Sequence, residues 1–167
     1  FRQIQGVANE LSIVIPSVSS ERREYLPCGV LTNGEIVSNL AFAIYDYDLW
    51  VVSLITSRLH MLWIKTVCGK LKTDFRYSNT LGWHTFPVPE LTEEQKNALE
   101  QSARKIILTR EEHLGATIAD LYDPNKMPDD LREAHRQNDE LLESFYKDTP
   151  FQDDGERLAH LFERYVE

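Results

Sequence analysis

The sequence predicts an α+β fold: a small, mostly antiparallel sheet packed on a long buried helix, followed by an all-helical C-terminal domain. Three observations lead to this prediction. Short apolar runs bounded by proline and glycine fill the first part of the chain, a nearly continuous apolar helix pattern follows, and helix-capping patterns recur after residue 90. The 167 residues, 42% hydrophobic and 27% charged, can bury one core or two small ones.

The predicted strands come first. Leu11–Pro16 is an apolar run ended by proline, and residues 17–23 form a polar loop. Residues 25–31 are extended, and residues 32–34 (Thr-Asn-Gly) supply a hairpin-type turn. Residues 35–45 return as a strand with apolar side chains on both faces, which predicts an interior strand.

A long apolar helix follows. Residues 46–48 offer an N-cap, and the helix is expected to reach about Cys68, with Gly69 closing it in the C′ position. Its polar residues fall at helical spacing on one narrow stripe: Ser53, Thr56, Ser57 and His60. Because most of its circumference is apolar, we expect this helix to be buried.

The segment after Gly69 alternates in character. Read as one strand over residues 70–77, it places Leu71, Thr73 and Phe75 on one face and Lys70, Lys72, Asp74 and Arg76 on the other. Residues 58–76 contain five Lys and Arg against the single acid Asp74, a local charge of +4 in a chain of net charge −9. Such a local concentration of positive charge is typical of a site that binds an anionic polymer. The alternative is an edge strand that its lysines protect from aggregation.

Residues 86–89 (Phe-Pro-Val-Pro) form a stiff linker, and we place a domain boundary there, between domains 1–89 and 90–167. Residues 1–89 contain 8 Lys and Arg against 7 Asp and Glu, whereas residues 90–167 contain 10 against 20. The two parts therefore have net charges of +1 and −10. Only the first could lie against phosphates without strong repulsion.

Helical patterns fill the second domain. Thr92 and Gln95 form a capping box that starts a helix reaching residue 114, where Gly115 stops it. Further helices are predicted over residues 117–122, from Pro128 onward, and over about 154–166. The last helix is expected to bury Leu158, Leu161, Phe162 and Tyr165.

Several chemistries are absent from the sequence. There is no phosphate-binding glycine loop, and the histidines have no metal-ligand spacing, so no catalytic or metal residue is predicted. Cys28 and Cys68 are interpreted as buried, reduced thiols of a cytoplasmic protein. Charged and polar residues interrupt the apolar stretch over 49–67, which favours a buried helix over a membrane span.

Longer stretches of the sequence resemble a known family. Residues 15–23 (IPSVSSERR), 57–63 (SRLHMLW) and 69–79 (GKLKTDFRYSN) are similar to the target-recognition domain of MmeI-like restriction–modification enzymes and related DNA adenine methyltransferases. Residues 121–165 resemble the C-terminal helical domain of that family. The chain opens mid-pattern and without an initiator Met, so we expect it to be part of a longer protein.

The resemblance implies an upstream methyltransferase domain that uses S-adenosylmethionine to methylate adenine after flipping it from the duplex. No cofactor is expected in residues 1–167. The partners implied are double-stranded DNA and that upstream domain, and no membrane.

The resemblance also implies site residues. Positions matching Lys72 and Asp74 vary in the family as a charge pair that reads one base pair. Lysine can donate to O6 and N7 of guanine, and aspartate can accept from N4 of cytosine. Arg76 would contact a neighbouring base or phosphate, and Asn39 on the preceding strand suits adenine. Three cations are assigned either to DNA phosphates or to solvation of the helix surface: Arg58, Lys65 and Lys70.

Two other functions stay open at this point. The acidic helices of residues 90–167 could form a protein-interaction or scaffold module, which would show no salt-dependent binding to a DNA duplex. An enzyme in its own right would bind S-adenosylmethionine, and we expect no such binding.

Overall fold

The computed structural model describes residues 11–32, 37 and 40–166. Its strands are, in chain order, β1 (Leu11–Pro16), β2 (Val18–Ser19), β3 (Gly29–Thr32), β4 (Ala41–Tyr45), β5 (Lys70–Leu71) and β6 (Asp74–Arg76). Its α-helices are α1 (Trp50–Ile55), α2 (Arg58–Val67), α3 (Glu93–Glu112), α4 (Ile118–Leu121), α5 (Asp129–Glu143) and α6 (Asp154–Val166). A π-helical turn, Asn79–Trp83, follows β6. The predicted α+β class and the all-helical C-terminal part are confirmed.

The first sheet has the order β3-β1-β4, and both pairings are antiparallel. β1 is therefore its central strand, and Ile13 and Ile15 on β1 are almost completely buried. Residues 35–45 were predicted to form an interior strand. In their described part, β4 pairs with β1 alone and all five of its residues are partly exposed, so this part lies at the edge of the described sheet. The predicted turn at Asn33 and Gly34 lies outside the described residues.

The predicted long helix is two helices. α1 ends at Ile55, and α2 begins after Ser57, whose extended backbone (φ −75°, ψ 157°) makes it the N-cap. The Ser57 hydroxyl accepts a hydrogen bond from the His60 amide at 3.1 Å and donates one to the Leu54 carbonyl at 2.7 Å. Serine competes in this way with backbone hydrogen bonds, which explains the break.

The end of α2 is also only partly as predicted. Gly69 does occupy the C′ position, after the C-cap Cys68. Among the described glycines, however, only Gly115 has a left-handed φ, of 87°. The chain after α2 is extended at Cys68 instead, and it leads directly into β5.

The helices of the second part begin where the sequence predicts. Thr92 and Gln95 form the capping box of α3, and Thr117 caps α4. The burial predicted for α6 was largely wrong, because only Leu161 is fully buried, while Phe162 and Tyr165 are 42% and 52% exposed. Both aromatic rings lie beside the indole of Trp63 in α2, so α6 covers α2 from outside.

The α1–α2 pair lies at the centre of the molecule. One face packs with the sheets, where Ile13, Val52 and Phe75 belong to one buried cluster. The other face packs with the tail helices, where Leu54, Trp63 and Leu142 belong to a second cluster. The polar stripe of α1 and α2 lies inside this contact, and all its members are fully buried: Ser53, Thr56, Ser57 and His60.

A buried amide connects three helices. The Asn138 side chain on α5 donates to the Ser53 carbonyl of α1 at 3.0 Å and accepts from the Ser102 hydroxyl of α3 at 2.8 Å. Both hydrogen bonds satisfy groups that would otherwise be buried without a partner. The domain boundary at Pro89 stays a prediction.

We predict that Ser57→Ala lowers the free energy of unfolding by about 1–2 kcal/mol, because it removes the N-cap of α2. Thr66→Ala is the matched control, since its hydroxyl makes only an exposed bond to the Leu62 carbonyl of the same helix. That control should stay within about 0.5 kcal/mol of the unmodified chain in urea denaturation. Equal losses in the two variants would contradict the capping role of Ser57.

Candidate nucleic-acid interface

The segment predicted as one strand over residues 70–77 is a two-stranded ribbon. β5 and β6 are antiparallel, and their paired residues are Lys70 with Phe75 and Leu71 with Asp74. The chain reverses within Lys72 and Thr73, and Lys72 has a left-handed φ of 58°. A positive φ at the first central residue is typical of tight hairpin turns that match the twist of the strands.

This turn changes which side chains share a face. Residues opposite each other in an antiparallel pair project to the same side, and neighbours alternate. Asp74 and Arg76 therefore share a face with Leu71, which is 53% exposed. Lys70 lies on the opposite face with the buried Phe75. The prediction of a single charged face was wrong, because the chain turns back inside what looks like one alternating strand.

The ribbon is held firmly to the body. β6 also pairs with β2, and Phe75 is only 1% exposed. The amide of the next buried aromatic, Tyr77, donates to the Ser17 carbonyl at 2.9 Å, and its hydroxyl lies 3.3 Å from Nε2 of the buried His60. Burial lowers the pKa of His60 to about 3, so its ring is neutral.

The charges of the ribbon are available to a ligand. Lys70, Lys72 and Arg76 are exposed, and Asp74 is half-buried. None of these four side chains forms an ion pair or hydrogen bond with another residue in the part of the chain that the structure describes. The acidic tail therefore neutralises none of the three cations of the ribbon.

The three phosphate candidates occupy different environments. Arg58 forms a bidentate ion pair with Asp154 of α6, with N–O distances of 2.8 and 3.0 Å. Lys65 is half-buried, and its Nζ donates to the Arg23 carbonyl at 3.3 Å. Burial lowers the pKa of Lys65. Lys70 alone of the three is exposed without a partner among the described residues.

Two further cations lie close to these residues and were missed by the sequence reasoning. Arg22 and Arg23 belong to the loop after β2. Arg22 lines both grooves that Lys65 lines, and Arg23 lines one of them. Their adjacency in sequence is a visible signal, but they lie outside the positively charged stretch over residues 58–76. Asn39, the predicted adenine contact, lies outside the described residues.

A buried carboxylate joins the tail to this region. Asp139 of α5 is 8% exposed and accepts hydrogen bonds from the Arg58 amide at 2.8 Å and from the Tyr25 hydroxyl at 2.9 Å. Burial raises the pKa of the Asp139 carboxyl to about 7. Asp139 thus supports both the first turn of α2 and Tyr25, which ends the loop that contains Arg22 and Arg23.

Comparisons with known proteins identify the family of this chain. The family model described as the MmeI target recognition domain matches residues 1–90, and that of the MmeI C-terminal domain matches residues 91–167. The chain therefore belongs to the MmeI family, as a target recognition domain followed by the C-terminal domain.

Two relatives show the same relationship. DNA methyltransferase A of Bacillus subtilis (strain 168) is 44% identical over all 167 residues, which correspond to 19% of that protein. A solved structure of the type IIL restriction–modification enzyme MmeI in complex with DNA matches 95% of this chain at 33% identity, with a TM-score of 0.90. The match covers 21% of that enzyme. The chain thus spans about a fifth of the length of each relative.

All strand pairings among the described residues are antiparallel, whereas the nucleotide-binding crevice of open α/β folds lies at the carboxyl ends of parallel strands. The expectation that residues 1–167 bind no cofactor stays a prediction. The part of the chain that the structure describes also has no cluster of three or more His, Cys, Asp or Glu side chains suited to a metal ion. None of its helices is long and apolar enough to cross a membrane.

We predict that Asp139 makes stability depend on pH. Its pKa rises from near 3.8 in the unfolded chain to about 7 in the folded protein, so the folded state keeps the carboxyl proton up to a higher pH. Stability should fall as pH rises from about 4 to 7, by at most about 1.4 kcal/mol per pH unit, and level off above. Asp139→Asn should lose this slope in urea denaturation.

The control for this test is Asp129→Asn, which changes an exposed carboxylate in the first turn of the same helix. It should keep the pH profile of the unmodified chain. A slope that persists unchanged in Asp139→Asn would show that other groups cause it.

Proposed function

We propose that this chain reads the base sequence of double-stranded DNA, with the β5–β6 ribbon as the reading element. The observation that carries the proposal is the ribbon itself: an anchored two-stranded segment whose charged side chains have no partner among the described residues. The major groove of B-DNA admits a two-stranded β-ribbon, and its base edges present donors and acceptors to such side chains.

Lys72 and Asp74 are the proposed readers of one G·C pair. Lys72 lies in the turn at the end of the ribbon, where its ammonium group can donate to O6 and N7 of guanine. Asp74 follows two residues later and can accept from N4 of the paired cytosine. Arg76, on the same face as Asp74, is proposed to contact an adjacent base or phosphate. Asn39 remains the proposed adenine contact.

The surrounding protein is part of the proposal. The chain would act within a longer bacterial, cytoplasmic enzyme whose upstream domain binds S-adenosylmethionine and methylates the exocyclic amine of adenine. The name of the Bacillus relative and the DNA in the MmeI structure support this proposal. Residues 1–89 would supply the contacts to bases, and residues 90–167 would hold them in position.

An interaction or scaffold role for the acidic helices is the alternative. It has less support, because the tail carboxylates nearest the recognition part already have partners within the chain, as Asp139 and Asp154 show. Duplex binding distinguishes the two. A reading module binds with a steep dependence on salt, and a scaffold shows no such binding.

We predict that the double substitution Lys72→Glu with Asp74→Arg changes the preferred base at one position from G to C. An acid at 72 would accept from cytosine, and an arginine at 74 would donate to guanine on the other strand. Selection from a random duplex pool, using protein with its methyltransferase domain, gives the preferred site before and after. Discrimination at that position should amount to about 1–3 kcal/mol.

The control exchanges charges of the same kind on α3, as Glu100→Arg with Arg104→Glu. That ion pair lies on the surface of α3, which lines neither groove beside the ribbon, so the selected site should not change. If the ribbon variant stays active and selects the original site, Lys72 and Asp74 do not read the base pair.

A further inference from the structure

Two grooves adjoin beside the ribbon. The larger, of about 590 Å³, lies between the arginine loop (residues 22–25), α2 and the starts of α5 and α6. The smaller, of about 310 Å³, lies between that loop, α2 and the inner face of the ribbon. Arg22 and Lys65 line both, so the two grooves form a single track, which we call the cationic track.

Positive charge predominates along this track. Six cations line it, against the three acids Glu21, Glu24 and Asp154: the cations are Arg22, Arg23, Arg58, Lys65, Lys70 and Arg132. Two of the cations are neutralised within the chain, because Arg58 pairs with Asp154 and Arg132 pairs with Glu24. Four are left without a carboxylate in direct contact within the described residues.

The four remaining cations line the cationic track and keep donors that are available to an anion. The side chains of Arg22 and Lys70 are exposed and have no partner in the described part of the chain. Arg23 is fixed by a hydrogen bond from its Nη1 to the Ser19 hydroxyl at 3.1 Å. Lys65 makes a bond only to the Arg23 carbonyl, so two of its three ammonium hydrogens are available.

The register of the ribbon separates two kinds of contact. Lys70 lies on the face of Phe75 and lines the track, whereas Asp74 and Arg76 lie on the opposite face. Protein–DNA interfaces generally divide in this way, since phosphate contacts fix the position of the protein and base contacts supply specificity. A chain of net charge −9 would repel DNA over much of its surface, so phosphates need a local cationic site.

We propose that the cationic track binds the phosphodiester backbone of the DNA duplex beside the ribbon, through Arg22, Arg23, Lys65 and Lys70. This inference rests on the proposed function. It removes Arg58 from the phosphate contacts, because its guanidinium is already held by Asp154. It adds two arginines of the loop after β2.

The test is the salt dependence of duplex binding by Arg22→Gln with Lys70→Gln, two exposed side chains whose replacement should not disturb folding. Affinity for a duplex of about 20 base pairs is measured between about 50 and 200 mM salt. The slope of log K against log salt is negative, and losing two phosphate contacts should make it shallower by about 1.8. Affinity should fall for every duplex alike, and the preferred site should not change.

Arg104→Gln with Lys105→Gln is the matched control, because it removes two cations from the exposed surface of α3. Its slope should equal that of the unmodified protein. Competition by inorganic phosphate distinguishes a site for single phosphates from one for a polymer. Phosphate that displaces duplex no better than chloride at equal ionic strength supports the polymer site.

The proposal is overturned if the unmodified protein shows a steep slope that the Arg22 and Lys70 variant leaves unchanged. It is also overturned if the control lowers the slope equally, or if the variant changes the preferred base. These results are independent of the exchange at Lys72 and Asp74. A ribbon exchange without effect, together with a lowered slope here, would reject base reading by those residues and keep the cationic track.

Discussion

The burial of Phe75 is the constraint on which the recognition surface depends. Phe75 lies on β6, which pairs with β2 on one side and with β5 on the other. Its partners in these pairings are Ser19 and Lys70. With 1% exposure it fixes one face of the ribbon against the core. Because side chains alternate along a strand, its neighbours Asp74 and Arg76 must then project away from the core. Apolar packing thus determines where the charges point.

The tail supports this arrangement from behind. The hydrogen bond from the Arg58 amide to Asp139 fixes the start of α2, and Asn138 connects α1 with α3 and α5. Ala103 of α3 packs into the same cluster as the sheet residues. The acidic part of the chain therefore packs behind the part that carries the ribbon, and its Asp154 carboxylate pairs with Arg58, which leaves that cation out of the proposed DNA contacts.

Features that have a distinctive residue pattern could be predicted from the sequence, and features without such a pattern could not. The capping box at Thr92 needs only four consecutive residues, so its pattern predicted α3 correctly. The break at Ser57 could not be predicted, because serine also occurs inside helices. Its residue type does not indicate that its hydroxyl donates to the Leu54 carbonyl at a break. The ribbon turn was hidden because Lys72 is not a residue type typical of a left-handed φ.

The proposed site divides in the same way, between residues that a sequence pattern indicates and residues that none indicates. The resemblance led to the ribbon and to Lys72 and Asp74, which are close in sequence. The cationic track joins Arg22 to Lys65, and no sequence pattern indicates that a loop after β2 lies beside the last turn of α2. That proximity depends on the pairing of β2 with β6, which is a contact between segments far apart in the chain.

Amide hydrogen exchange with and without duplex DNA tests the central claim most directly. If the ribbon and the cationic track form the DNA surface, bound duplex will slow exchange in residues 70–76 and in the loop over residues 20–24. Exchange in the acidic outer faces of α3 and α5 will not change. Protection confined to those helices, with the ribbon exchanging as in the free protein, would contradict the account.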